Sequence, residues 1–168
     1  VTHDQEEALS LADRLLVLRD GRVLQAGTPE DLYSQPVDRY VAGFMGYRNM
    51  LPMRISSGNG EFVTMEGGDL TLSGVRRDGS SDADVVAAFR PEDVVVADTG
   101  ANRIEADVEV VEFHGREQSV QARLADGQSL SVRTDKRLAP GDTVTLTVPK
   151  ERVLVFAADT PAAPDEVA

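Results

Sequence analysis

The chain contains no cysteine and no tryptophan, and its 168 residues include only five Phe and three Tyr. Without cysteine there are no disulfides and no thiolate metal sites, which fits a reducing cytosol. No apolar run approaches the ~18 residues that a membrane-crossing helix needs. The apolar runs are short, such as Leu15–Leu18 and Val94–Ala97, and no charged-then-apolar leader opens the chain. Basic residues are also scarce. Seventeen Lys and Arg face 29 Asp and Glu, a net charge of −12, of which −4 falls in residues 1–47 and −8 in residues 48–168. Acid spread in this way repels phosphate backbones. Residues 48–168 offer four aromatics, Phe62, Phe89, Phe113 and Phe156, all in apolar strand contexts that predict core positions. With neither a stacking platform nor a basic groove, no nucleic-acid partner is expected.

What is present begins with Val1-Thr2-His3-Asp4-Gln5-Glu6-Glu7-Ala8. This octet reads as the end of a buried strand, one histidine at its tip, and a helix capped by Asp4, with Glu7 placed to reach back as in a capping box. His3 is thereby held where a sheet meets a helix start, a common place for a ligand-touching residue. The spacing of His3, Asp4, Glu6 and Glu7 brings no two imidazoles together, so no metal site is expected.

Beyond the helix of residues 4–12, Leu15–Arg19 and Arg22–Ala26 read as strands about a type I′ turn at Asp20-Gly21. Thr28 caps a helix that has Pro29 first and Glu30 and Asp31 in its opening turn, and Pro36 stops it. Val37, Tyr40, Val41 and Phe44 mark one face of a further helix, closed by Gly43 and Gly46. Residues 1–46 thus carry an apolar face on every element, yet a segment of under ~50 residues without disulfides or metal rarely sustains a core. Its faces are expected to pack on a neighbour or on a body outside this chain.

After Gly46 the texture changes. Strands are predicted near 50–56, 61–66, 69–73, 85–89, 93–97, 104–113, 118–125, 129–134, 143–148 and 152–156. Turns fall at Gly58-Asn59-Gly60, Gly67-Gly68, Asp126-Gly127 and Pro140-Gly141-Asp142. Gly74–Asp84 reads as a polar loop, Leu72-Ser73-Gly74 as a turn, and Val144–Val148 as a half-buried strand. Many short strands at this spacing predict a mainly β fold, a barrel or sandwich preceded by a small α/β segment. The division is 1–47, 48–157 and a disordered tail over 158–168.

Thr2–Ala8, Ala12-Asp13-Arg14, Asp20–Val23, Gln25–Tyr33, Pro36–Gly46 and Asn49–Pro52 together closely resemble one family, the ATP-binding subunits of ABC importers. Phe89-Arg90-Pro91-Glu92 and Val110–Gly115 resemble the transport-associated OB (TOBE) domain of the same subunits. The resemblance implies an OB-like regulatory β-domain preceded by the end of a nucleotide-binding domain. Val1, lying inside a motif, is expected to be interior to a longer reading frame. In the family the histidine matching His3 contacts the ATP γ-phosphate and helps position the attacking water. The requirement is a compact donor at a strand end, aimed at charge developing on the transferring phosphoryl group. No Gly-x-x-x-x-Gly-Lys-Ser/Thr loop, Asp-Glu-ended strand or Leu-Ser-Gly-Gly-type signature stands in these 168 residues. The chain alone is therefore expected to hydrolyse no ATP and to hold no cofactor, ATP and Mg²⁺ belonging to the intact parent. The resemblance further implies a homodimer through the β-domain, docking on membrane permease subunits, and a cytoplasmic location at the inner face of the membrane.

Within the β region, Arg90, Glu92, His114 and Gly115 are the regulatory or interface candidates. Pro91 must end the strand before it and leaves Arg90 and Glu92 close enough to pair or to meet a partner. His114 stands alone and reads first as a strand-end residue. A stand-alone β-domain that binds a small oxyanion is the competing reading, through Arg76, Arg77, Arg90 or Arg116, although no spacing makes them converge. An oligonucleotide-binding OB module ranks last.

Overall fold

The computed structural model describes residues 5–58, 60–77 and 83–158. Its first part is α1 (Gln5–Leu11), the hairpin β1 (Leu15–Arg19) and β2 (Arg22–Gly27), α2 (Pro29–Ser34) and α3 (Arg39–Phe44). Asp20 and Gly21 both take positive φ, 49° and 75°, the pair of values a type I′ turn demands. Thr28 caps α2 by accepting from the Asp31 amide, and the Asp31 carboxylate accepts from Thr28 N in return, closing a capping box. Asp38 caps α3 through the Val41 amide at 2.8 Å. The last helix therefore starts two residues after Val37, which stays 48% exposed.

Ten further β-strands follow among the described residues: β3 (Asn49–Ser57), β4 (Phe62–Gly67), β5 (Leu70–Arg76), β6 (Asp84–Phe89), β7 (Val95–Val96), β8 (Ile104–His114), β9 (Glu117–Arg123), β10 (Ser129–Thr134), β11 (Thr143–Thr147) and β12 (Leu154–Ala157). Strands β12, β5, β4, β3 and β6 form a closed barrel. The order β10-β9-β8-β11-β7 makes a second, five-stranded sheet. The fold is mainly β, as the strand spacing predicts. Two readings are corrected. The expected strand at 93–97 is a 3₁₀ turn, Pro91–Asp93, followed by the two-residue β7, because Pro91 opens the turn and Val94 is drawn into the core. Leu72-Ser73-Gly74 is not a turn but the middle of β5. A Cβ on Gly74 would lie 2.7 Å from the Val153 carbonyl oxygen, so glycine is what lets β12 run alongside β5 in parallel. The expectations at Asn59, in the 78–82 loop and in the tail beyond 158 concern residues outside those described.

The strands' apolar patterns report what covers them. Strands β9 and β10 alternate buried and exposed residues, one face inward and one outward. By contrast, Val85–Phe89 of β6 and Leu154–Ala157 of β12 are buried without interruption. Their inward residues, Val85, Ala87, Phe89 and Val155, join the core shared by the barrel and the second sheet. Their outward residues, Ala88, Leu154 and Phe156, join a second core with Val17, Leu32, Val41, Ala42, Met45 and Tyr47. The helices and hairpin of residues 5–47 are thus the outer cover of β6 and β12, which is where their apolar faces go. The hairpin's other face keeps Leu16, Leu18 and Val23 at 60%, 55% and 51% exposure.

Side-chain amides stitch the layers. Asn49, 1% exposed, donates to the Ser131 carbonyl at 2.9 Å and accepts from the Ser131 amide at 2.7 Å, tying the barrel to β10. Asn102 grips Ser73 of β5 in the same two-way fashion, at 2.8 and 2.6 Å. Each amide supplies one donor and one acceptor and so replaces a missing strand partner.

Candidate functional site

The joint between residues 5–47 and the barrel is organised by Arg90, at the end of β6. Pro91 removes a ladder donor and ends the strand, and the side chain of Arg90 then turns into the joint, only 3% exposed. Its guanidinium lies between two rings, 3.5 Å from the centroid of Tyr33 on α2 and 4.0 Å from that of Tyr47. Arg90 Nε donates to the Met45 carbonyl at 3.1 Å, and Nη2 donates to the Tyr33 carbonyl. A planar cation with divergent donors can stack and bond at once, which an ammonium cannot. Arg77 donates to the next carbonyl, Ser34, at 3.4 Å. Two arginines from the barrel side therefore satisfy the carbonyls at the end of α2, the end that favours positive charge.

The Pro91–Asp93 turn extends this cluster. Tyr33 Oη donates to Glu92 Oε1 at 3.3 Å. Burial raises the phenol pKa of Tyr33 above its ordinary value, against the pull of Arg90, and does the same for Tyr47. Burial likewise lifts the Asp93 carboxyl above the usual carboxylate range, with Arg152 and Arg90 opposing. Arg152 stands 3.8 Å away, and Asp93 Oδ2 is buried with no hydrogen-bond partner among the described residues. Of the two readings of Arg90 and Glu92, direct pairing is not what they do: Arg90 bonds carbonyls and stacks on rings, and Glu92 accepts from Tyr33.

Elsewhere the candidates separate. His3 lies outside the described residues. His114 ends β8, is half exposed, and stands 3.8 Å from Glu112. Gly115 turns the β8–β9 hairpin with φ +83°. Only Ile104–Asp107 of β8 pairs with β11, so the far end of β8 is a sheet edge paired to β9 alone. Phe113 on that edge is 59% exposed under the Arg137 guanidinium, and Phe62 is 39% exposed beside Lys150, so two of the four aromatics expected in the core are not there. Arg77 and Arg90 meet at α2, whereas Arg116 sits in the β8–β9 turn. The roles of Tyr33 and Tyr47 were not visible in the sequence. Their only signal was one aromatic on α2 and another in the link between α3 and β3.

Fold and joint together define an OB-like β-barrel module with a helix–hairpin segment bolted to its outer wall. The family description "TOBE domain" matches residues 87–156. The chain is 37% identical over 164 residues to the spermidine/putrescine import ATP-binding protein PotA 1 of Pseudomonas aeruginosa, with 93% of this chain and 44% of that protein covered. It is 36% identical over 168 residues to the xylose/arabinose import ATP-binding protein XacK of Haloferax volcanii, covering 95% and 44%. It is 38% identical over 168 residues to the sulfate/thiosulfate import ATP-binding protein CysA 2 of Chromobacterium violaceum, covering 93% and 44%. Among solved structures, the molybdate-bound cytoplasmic molybdate-binding protein ModG shares the fold with a TM-score of 0.57 at 19% identity, covering 66% of this chain and 96% of that one. The chain belongs to the family of ABC importer ATP-binding subunits and corresponds to their C-terminal part. It spans about 44% of the length of these relatives.

Proposed function

We propose that this chain is the regulatory end of the ATP-binding subunit of an ABC importer, and that it supports ATP-driven solute uptake without performing the chemistry. The observation that carries this reading is the second core. Helices and hairpin that in the family end the ATPase domain are packed on β6 and β12 and locked there by Arg90, so a displacement of one part loads the other. The open face of Leu16, Leu18 and Val23 would pack on the body of the ATPase domain, and His3 would meet the γ-phosphate there. Further parts of the proposal are dimerisation through the β-domain, docking on transmembrane permease subunits, and a place at the inner face of the membrane. No helix among the described residues is long and apolar enough to cross one.

The purified 168-residue chain is expected to show no magnesium-dependent ATP hydrolysis above buffer in a phosphate-release assay. Turnover by the chain alone, abolished by His3→Ala, would contradict the reading.

A further inference from the structure

The chain passes from the barrel to the second sheet through the Pro91–Asp93 turn, between β6 and β7. It returns through another 3₁₀ turn, Lys150–Arg152, between β11 and β12. The two crossovers run side by side, because β6 pairs with β12 and β7 pairs with β11. Asp93 stands where they meet. Its amide donates to the Arg90 carbonyl at 3.2 Å, and its side chain is only 16% exposed. Oδ1 lies 3.8 Å from Arg152 Nε on the return turn, while Oδ2 is buried without a hydrogen-bond partner among the described residues. An ionised oxygen in that position is costly, since it has left water with no bond to replace what it lost.

Arg90 at the end of β6 and Arg152 on the return turn attract the Asp93 carboxylate, and Glu92 on its own turn repels it. Tyr33 of α2 and Tyr47 before β3 feel the same charge. Strand β10 packs on the other side of the turn, where Arg133 is held by Glu117 at 2.8 Å and Arg48 borders Glu92. On the return turn Lys150 stands over Phe62, and Glu151 is exposed. Two cations would hold the charged form, yet neither does so strongly. Arg152 is 61% exposed, so its pair is screened and contributes little. Arg90 is already committed to two carbonyls and two rings. Burial therefore wins and lifts the carboxyl above the usual carboxylate range. We propose that Asp93 is an acid-responsive clasp at this crossing, holding both crossovers and the Arg90 joint more firmly when protonated than when ionised. Proton uptake removes a buried charge and gives up only the exposed tie to Arg152. The gain is complete below the ordinary carboxylate range, where folded and unfolded chains both carry the proton. It fades as pH rises through the folded chain's raised midpoint. The joint responds because Asp93 is bonded to the Arg90 backbone, and because the return turn leads into Leu154 and Phe156, which wall the second core. The clasp stands apart from the importer reading. Only its consequence for ATP turnover rests on that reading.

The test is a ¹³C carboxyl NMR titration of the whole chain, with amide exchange of the parent and of Asp93→Asn compared at each pH. The Asp93 midpoint should lie above that of an ordinary aspartate. Arg152→Gln should move it higher still, by removing the stronger of the two opposing charges. Protection of α2 and α3 in the parent, taken relative to Asp93→Asn, should rise several-fold as pH falls from about 7 to about 4, and should rise less at β9. The proposal is overturned if the midpoint sits at or below the ordinary value, or if Arg152→Gln leaves it in place. It is also overturned if the ratio of protection stays constant across the range, or if the gain at β9 equals that at α2 and α3. Should Asp93→Asn fail to fold, the carboxyl titrations of the parent and of Arg152→Gln decide alone. ATP plays no part in these measurements, so their failure leaves the importer reading untouched.

Discussion

Arg90→Ala should lower the unfolding free energy by about 3 kcal/mol in urea denaturation, a large effect for a residue at a strand end. The substitution removes a cation stacked on two rings, worth up to ~2 kcal/mol when desolvated. It also strips partners from two carbonyls at the joint, each costing roughly 1–3 kcal/mol if left unsatisfied, with relaxation and water entry returning part of the loss. Amide exchange should localise the damage. Protection of α2 and α3 should fall, while β8, β9 and β10 keep theirs, since they contribute nothing to the second core. Arg90→Lys should recover less than half of the loss, because an ammonium cannot stack flat between Tyr33 and Tyr47 while reaching both carbonyls. An Arg90→Ala chain within about 0.5 kcal/mol of the parent would show that Arg90 does not lock the joint.

Phe156→Ala should cost about 4 kcal/mol, within the ~3–5 expected for a fully buried aromatic. Phe156 is 0% exposed and points out of the barrel into the layer formed by α2, α3 and Tyr47, so the cavity would open at the contact between the two parts. Phe113→Ala is the matched control. That ring is 59% exposed on the outer end of β8, and its loss should change stability by no more than about 0.5 kcal/mol. Equal effects at the two positions in thermal or urea melts would contradict the two-core description.

Much of this was legible in the sequence because it was local. Asp20-Gly21, Thr28 with Pro29, and the uninterrupted runs Val85–Phe89 and Leu154–Ala157 each encode an element or its burial within a few residues. What was hidden depends on distance along the chain. Arg90 meets partners 45 and 57 positions away, and nothing in Phe89-Arg90-Pro91-Glu92 says that the guanidinium would find Tyr33 and Met45 rather than Glu92 two residues on. The exposure of Phe62 and Phe113 was hidden for a related reason. An apolar strand pattern does not show where a strand outruns the sheet that would cover it, nor that Lys150 and Arg137 would stand over the rings. Strand β7 failed as a long strand because the Pro91–Asp93 turn took its first residue and Val94 is drawn into the core.

We propose that these residues complete an ATP-hydrolysing unit, His3 supplying one donor to a site whose remaining groups lie outside them. It is tested most directly by magnesium-dependent phosphate release from a protein that carries this chain together with the ATPase segment its relatives possess, compared with the same protein bearing His3→Ala. The prediction is clear turnover that falls by roughly 10²–10³-fold on loss of the histidine donor, the size of effect seen when one preorganised charge-stabilising donor is removed. Turnover that is indifferent to His3→Ala would contradict it.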